Sequence, residues 1–177
     1  MICKTSEGGD WKDSSWNAAR VKAIRDSGLK LGVYHYLRPK PGRSGKVEAR
    51  FFWSVATSAG YGKRGQDIVP VLDFEETALS PAASYRYLAE AVSELKALSG
   101  KAPIIYTGGP FWDSNTKMAK DNMGCPLWLA AYVTNPERYI PEAWDTWTIW
   151  QSSDAGKVSG VPSSKVDVNT AKRLPLL

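Results

Sequence analysis

The chain has 177 residues, enough for one domain (1–177) with a full hydrophobic core. With 43% hydrophobic and 23% charged residues it reads as globular, and no apolar run approaches the ~20 residues a membrane helix needs. A net charge of +5 favours anionic surroundings, nucleic acid or an anionic cell wall, yet the Lys and Arg are scattered and never form a basic run.

The N-terminal residues Met1-Ile2-Cys3-Lys4 lack the apolar stretch of a signal peptide. Ile2-Cys3-Lys4-Thr5 reads as a short strand, followed by the turn Glu7-Gly8-Gly9-Asp10; Glu7 either lines a site or caps that turn. A helix is expected over residues 15–27, with Trp16, Ala19, Ala23 and Ile24 on one face and Gly28 as its stop. Residues 31–36 form a second strand, leaving through the loop Arg38-Pro39-Lys40-Pro41-Gly42. On that strand His35 is either a base or a hydrogen-bonded structural histidine. A helix over residues 46–59 carries Val47, Phe51, Phe52, Val55 and Ala56 at helical spacing.

The next stretch, Asp67-Ile68-Val69-Pro70-Val71-Leu72-Asp73-Phe74-Glu75-Glu76, is central to the chemistry. Its continuous apolar run suits a strand buried on both faces, as in a parallel sheet. Side chains alternate along a strand, so Asp73 and Glu75 point the same way, with Cβ atoms roughly 6.5–7 Å apart. Carboxylates that close do not both ionise easily, so one is expected to hold its proton toward neutral pH and serve as an acid. The plainer alternative is a solvated strand end whose acids cap the next helix. Glu76 belongs to solvent in either case.

Ser80 and Pro81 open a long helix that ends at Gly100, with Leu88, Ala91, Val92, Leu95 and Leu98 as its buried stripe. Residues 103–107 form a fourth strand, residues 111–121 a short helix, and residues 127–132 and 146–151 two more strands. A Gly/Ser-rich loop, which includes a solvated Asp154, leads to a last short strand at residues 165–169. Strands and helices alternate and then helices thin out, the order of an α/β barrel with a degenerate second half.

Cys3 and Cys125 either pair or stay as core thiols, and two Cys with a single His argue against a structural zinc site. Eight Trp and eight Tyr are many for this length; they either pack a core or line a carbohydrate cleft. Trp16 and Trp53 lie on helices and pack, whereas Trp128 and Tyr132 end a strand and face a cleft. Gly108-Gly109 fits no phosphate-binding loop, so no nucleotide cofactor is expected.

Seven segments together resemble glycoside hydrolase family 25, the Chalaropsis-type lysozymes. The first four are Ile2-Cys3-Lys4-Thr5-Ser6-Glu7-Gly8, Gly32-Val33-Tyr34-His35-Tyr36, Pro70-Val71-Leu72-Asp73-Phe74-Glu75 and Pro103-Ile104-Ile105-Tyr106-Thr107. Leu127-Trp128-Leu129-Ala130-Ala131-Tyr132, Trp147-Thr148-Ile149-Trp150-Gln151 and Val166-Asp167-Val168-Asn169 follow in the family's order. The resemblance implies an N-acetylmuramidase on an irregular, flattened (β/α) barrel of TIM-barrel type, acting on bacterial peptidoglycan at the cell wall without metal or organic cofactor. It implies Glu75 as general acid, Asp73 as the carboxylate that orients the substrate acetamide and stabilises positive charge, and Asp167 as a further acid. Glu7, Tyr34, Tyr36, Tyr106, Trp128, Tyr132 and Gln151 take substrate-lining positions. Glycoside cleavage needs one protonated carboxyl and one negative group, which an Asp-x-Glu pair supplies. The family favours retention helped by the substrate's own acetamide.

One departure stands out. The family begins with an earlier strand that carries an Asp, and here the chain starts inside the second motif. The expectation is therefore a barrel incomplete at its N-terminal side, with an open sheet edge suited to self-association and a weakened active site. A wall-binding or structural domain of the same fold is the alternative function, and a chitinase-like barrel acting on a neutral polysaccharide a third.

Overall fold

The computed structural model describes residues 1–160 and 165–177, so part of the Gly/Ser-rich loop lies outside the described residues. One eight-stranded sheet organises the chain, in the order β2-β1-β3-β4-β5-β6-β7-β8. Strands β1 (Ile2–Glu7), β3 (Gly32–Tyr36), β4 (Val71–Asp73), β5 (Ile104–Thr107), β6 (Leu127–Ala130) and β7 (Ile149–Gly156) run parallel. Two antiparallel strands flank them: β2 (Trp11–Lys12) on β1 and β8 (Val166–Ala171) on β7. Helices α1 (Ala18–Asp26), α2 (Gly45–Ser58), α3 (Pro81–Ser99) and α4 (Gly109–Thr116) connect the strands of the first half.

The parallel strands are apolar because both their faces are covered: Val33, Val71, Leu72, Ile104, Ile105 and Leu127 are all fully buried. The start and stop signals of α3 act as read, with Pro81 in its first turn and Gly100 closing it at φ 78°. Helix α1 starts later than expected because the Asn17 side chain accepts a hydrogen bond from the Arg20 amide and caps it there. Trp16 thus precedes the helix, though it is buried and donates from Nε1 to the Val55 carbonyl at 3.1 Å.

Four residues expected on helix packing faces are exposed: Ala19 and Ala23 of α1, whose buried residues are Val21 and Ile24, together with Val47 and Leu98. Val47 is out of phase by one position: the buried face of α2 runs through Gly45, Glu48, Ala49, Phe52, Val55 and Ala56. Leu98 sits at the edge of a stripe that passes through Leu95 and Ser99 instead. Helix α4 stops at Thr116, where Lys117 turns left-handed at φ 56°. Strand β7 starts later and runs further than expected, so Asp154 lies in a strand, although exposed. Strand β6 ends at Ala130, leaving Tyr132 just past it.

The sheet curls, since residues of β1, β3 to β7 and β8 all reach one central cavity. It stays open between its outer members. Ile2 of β1 and Val166, Asn169 and Ala171 of β8 face a further cavity of about 690 Å³, and among the described residues no strand pairs across it. The result is a mixed α/β fold built on a curled, open sheet.

Candidate active site

Strand β4 carries the apolar run to its end at Asp73, and the chain then leaves the sheet through Phe74 and Glu75. Phe74 is fully buried, packed edge-on against Phe111 at 5.1 Å between ring centroids, which fixes the alternation around it. Asp73 and Glu75 consequently line the same cavity, of about 320 Å³. Asp73 is its buried floor and Glu75 is exposed at its rim.

Three tyrosines from two strands wall this cavity: Tyr34 and Tyr36 on β3, and Tyr106 on β5. Trp128 on β6, Tyr132, Gln151 on β7 and Asp167 on β8 complete the ring of expected residues. They hold one another in place. Tyr106 and Tyr132 donate their hydroxyls to Gln151 Oε1 at 2.7 and 3.0 Å, and Trp128 Nε1 donates to Asn169 Oδ1 at 2.9 Å. Tyr106 and Trp128 meet edge to face at 5.3 Å. With both hydroxyls on its oxygen, Gln151 has its amide nitrogen left as a donor.

Both carboxyls are pushed above the ordinary carboxylate range. Burial raises Asp73 strongly, and the Glu75 charge adds to it. Partial desolvation of its carboxyl against the cavity wall also raises Glu75, offset in part by the Tyr36 hydroxyl and then by the Lys4 ammonium. The shift thus falls on both acids, most strongly on Asp73, where the spacing alone predicted one. Asp73 Oδ1 is buried without a hydrogen-bond partner. Burial likewise raises Tyr34 and Tyr106, so both phenols stay protonated donors at neutral pH.

Glu7 differs from expectation. It ends β1 on the far side of Lys4, in an adjoining cavity, where Lys4 Nζ and Arg38 Nε hold it at 2.7 and 2.8 Å. Those hydrogen bonds, that of Lys4 foremost, keep its carboxyl below the ordinary range. Lys4 is the residue sequence reasoning passed over. It lines the cavity with its Nζ 4.9 Å from the Tyr36 ring centroid, and the only signal was a cation set within a strand next to Tyr34 in register.

His35 is fully buried and structural: its ring bonds Ser6 Oγ at 2.8 Å and Glu48 Oε1 at 2.9 Å, away from the cavity. Trp53 packs beside Tyr61. Cys3 and Cys125 are free and buried. Among the described residues no group of three or more His, Cys, Asp or Glu side chains is placed to hold a metal ion, and no helix is long and apolar enough to cross a membrane.

Together these features define an α/β protein with a paired-carboxylate, aromatic-walled cleft at the carboxyl ends of parallel strands, the end where α/β folds gather their reactive groups. The chain belongs to glycosyl hydrolases family 25, whose profile matches residues 1–161. It is 30% identical to "Lysozyme M1" of Streptomyces globisporus, over 94% of this chain and 57% of that protein. It is 29% identical to the "N,O-diacetylmuramidase" of Chalaropsis sp., over 90% of this chain and 79% of that one. An uncharacterized Escherichia coli protein, YegX, is 34% identical over 82% of this chain and 49% of its own length. The chain therefore spans about half the length of Lysozyme M1 and YegX. Among solved structures, the bacterial lysozyme of Streptomyces coelicolor superposes with a TM-score of 0.86 at 28% identity, over 98% of this chain and 81% of that one. A family GH25 lysozyme of Aspergillus fumigatus gives 0.83 at 29%, over 97% and 81%.

Proposed function

We propose that residues 1–177 form a single catalytic domain that hydrolyses peptidoglycan at the bacterial cell wall. The bond cut is the β-1,4 link between N-acetylmuramic acid and N-acetylglucosamine. One observation carries this reading: two acids with raised proton affinity, Asp73 and Glu75, share one cavity walled by tyrosines and a tryptophan. The names of the relatives, lysozyme and N,O-diacetylmuramidase, point the same way. The sheet is read here as an incomplete (β/α) barrel of TIM-barrel type.

Glu75, at the rim and slow to ionise, is the general acid that protonates the leaving oxygen. As that bond breaks, positive charge grows at the anomeric carbon. Asp73 faces it from the floor. Its unpartnered Oδ1 is an open acceptor for the N–H of the substrate acetamide, and such a bond favours the charged form of Asp73. The acetamide oxygen, oriented by that bond, attacks the anomeric carbon as the protonated leaving oxygen departs. Water, giving its proton to Glu75, then opens the resulting oxazolinium ion, and the two inversions give retention. Asp167 adds negative potential, while Tyr34, Tyr36, Tyr106, Trp128, Tyr132 and Gln151 stack on or bond the sugars. No step calls for a metal or organic cofactor.

Replacing Glu75 by Gln tests the assignment. The variant should lose at least about a hundredfold in the release of reducing ends from purified walls while still sedimenting with them. Undiminished lysis by E75Q would sink the role of Glu75. Equal turnover of chitin and peptidoglycan would move the protein to the chitinase-like reading.

A second reading has its own observation. The open gap between β1 and β8 adjoins the cleft, because Tyr34, Trp128 and Asp167 line both cavities. A cleft with one side unclosed suits a wall-binding domain of weak activity, and the open edges suit self-association. Wall binding by the unaltered protein with no reducing ends released would decide for this reading, and sedimentation velocity reports the association.

A further inference from the structure

A second cavity of about 320 Å³ opens beside the catalytic one, along the β1–β2 hairpin. The partition between them is a hydrogen-bonded network. Lys4 holds Glu7 at 2.7 Å, Arg38 bonds both Glu7 and Glu76, and the Tyr36 hydroxyl donates to Glu76 at 3.3 Å. Trp11 stands on the far side of this partition. It is 47% exposed in a two-residue strand that buries nothing, so packing does not explain the indole. Lys4 Nζ lies 5.2 Å from the Trp11 ring and 4.9 Å from the Tyr36 ring, so one ammonium links an aromatic wall of each cavity.

The turn between the two strands is shaped for this cavity. Gly8 has φ 55°, and a Cβ there would stand 2.7 Å from Arg43 Nη1. Glycine therefore leaves room for the Arg43 guanidinium over the turn, and Arg43 and Trp11 both line the cavity. The charges of the lining balance, three cations (Arg38, Lys40, Arg43) against three anions (Glu7, Asp10, Glu76). Balanced donors and acceptors suit a neutral, hydroxyl-rich ligand better than an anion, and the open indole offers the apolar face on which a pyranose packs.

We propose that this cavity is an additional saccharide subsite, taking an N-acetylhexosamine unit of the glycan strand beyond those bound at Asp73 and Glu75, with Trp11 as its stacking platform. The identity of that strand rests on the muramidase reading above.

The test compares the unaltered protein with Trp11→Ala and Trp11→Tyr on glycan strands freed of peptide by an amidase and sorted by length. Trp11→Ala should raise KM on long strands roughly three- to tenfold, with the effect shrinking as strands shorten, and Trp11→Tyr should recover most of it. Calorimetric titration of long strands into E75Q, with and without Trp11→Ala, should show the same loss in affinity. Equal effects at all lengths, or unchanged affinity, would overturn the subsite. A loss confined to peptide-bearing strands would also overturn it and assign the cavity to the stem peptide. If the unaltered protein binds long strands but cuts none, the hydrolase reading fails, and the affinity difference still judges the subsite.

Discussion

Asp73 is kept at the expense of the fold. Its carboxyl is buried, its Oδ1 has no partner, and an unsatisfied buried acceptor typically costs about 1–3 kcal/mol. Burial and the Glu75 charge raise its pKa, and a raised folded-state pKa favours folding below the ordinary Asp value of about 3.9, an advantage lost as pH rises through the folded value. Asp73→Asn should therefore melt a few degrees above the unaltered protein at about pH 7, with no gain left below about pH 4, while wall hydrolysis collapses. A lower melting temperature for the variant at pH 7 would refute this. At this scale the sequence was most legible where a rule of alternation applies: Asp73 and Glu75 share a face because Phe74 is buried between them. Lys4 and Glu7 were not legible in this way. Which cavity each reaches depends on the curl of the sheet and on Arg38, a loop residue 31 positions further along that draws Glu7 aside.

Helices and strands are joined beneath the site by a buried chain of polar groups. A carboxylate only accepts, so His35 donates from Nε2 to Glu48 Oε1 and takes the Ser6 hydroxyl on Nδ1. Glu48 also receives the Arg38 amide at 2.9 Å and the Tyr87 hydroxyl, which ties β1, β3, α2 and α3 together. Glu48→Ala strands all three donors and should cost about 3–5 kcal/mol in urea unfolding. A loss under about 1 kcal/mol would make the network dispensable. Burial lowers the His35 pKa; Glu48, which burial alone would raise, is held low by its hydrogen bonds from His35, Tyr87 and the Arg38 amide. For both groups stability is present above the unfolded pKa and lost as pH falls, first through the His value of about 6.5. Stability should therefore drop between about pH 7 and 5, and His35→Phe should abolish that drop, leaving the opposite contribution of Asp73 and Glu75. An unchanged slope in His35→Phe would show that another group sets it. The network also explains what pattern reading missed in α2. A buried Glu48 is invisible to a search for apolar stripes, which therefore settled on Val47. Pro81 and Gly100 needed no such context, because their backbone preferences are local.

The whole molecule shows where local rules stop. Alternating strands and helices foretold the parallel core of the sheet, since a parallel pair needs a crossover between its strands. They did not foretell the two-residue β2, whose pattern is too short to stand out, nor that the last strand, expected over residues 165–169, pairs antiparallel with β7. Net charge acts only at this scale. The excess of +5 comes from scattered Lys and Arg, so it attracts anionic polymers in general without selecting a bond. Such attraction is screened over about 10 Å at 0.1 M salt and about 3 Å at 1 M, whereas stacking in an aromatic cleft is not. On the proposed mechanism E75Q should bind without cutting, which separates the two contributions. Its sedimentation with purified walls should weaken steeply between about 0.05 and 0.5 M NaCl, and walls stripped of anionic polymers should largely remove that dependence. The binding left at high salt should respond to free glycan strands as competitor. Salt-independent sedimentation on intact walls would show that the surplus of lysine and arginine contributes nothing and that the cleft alone holds the protein there.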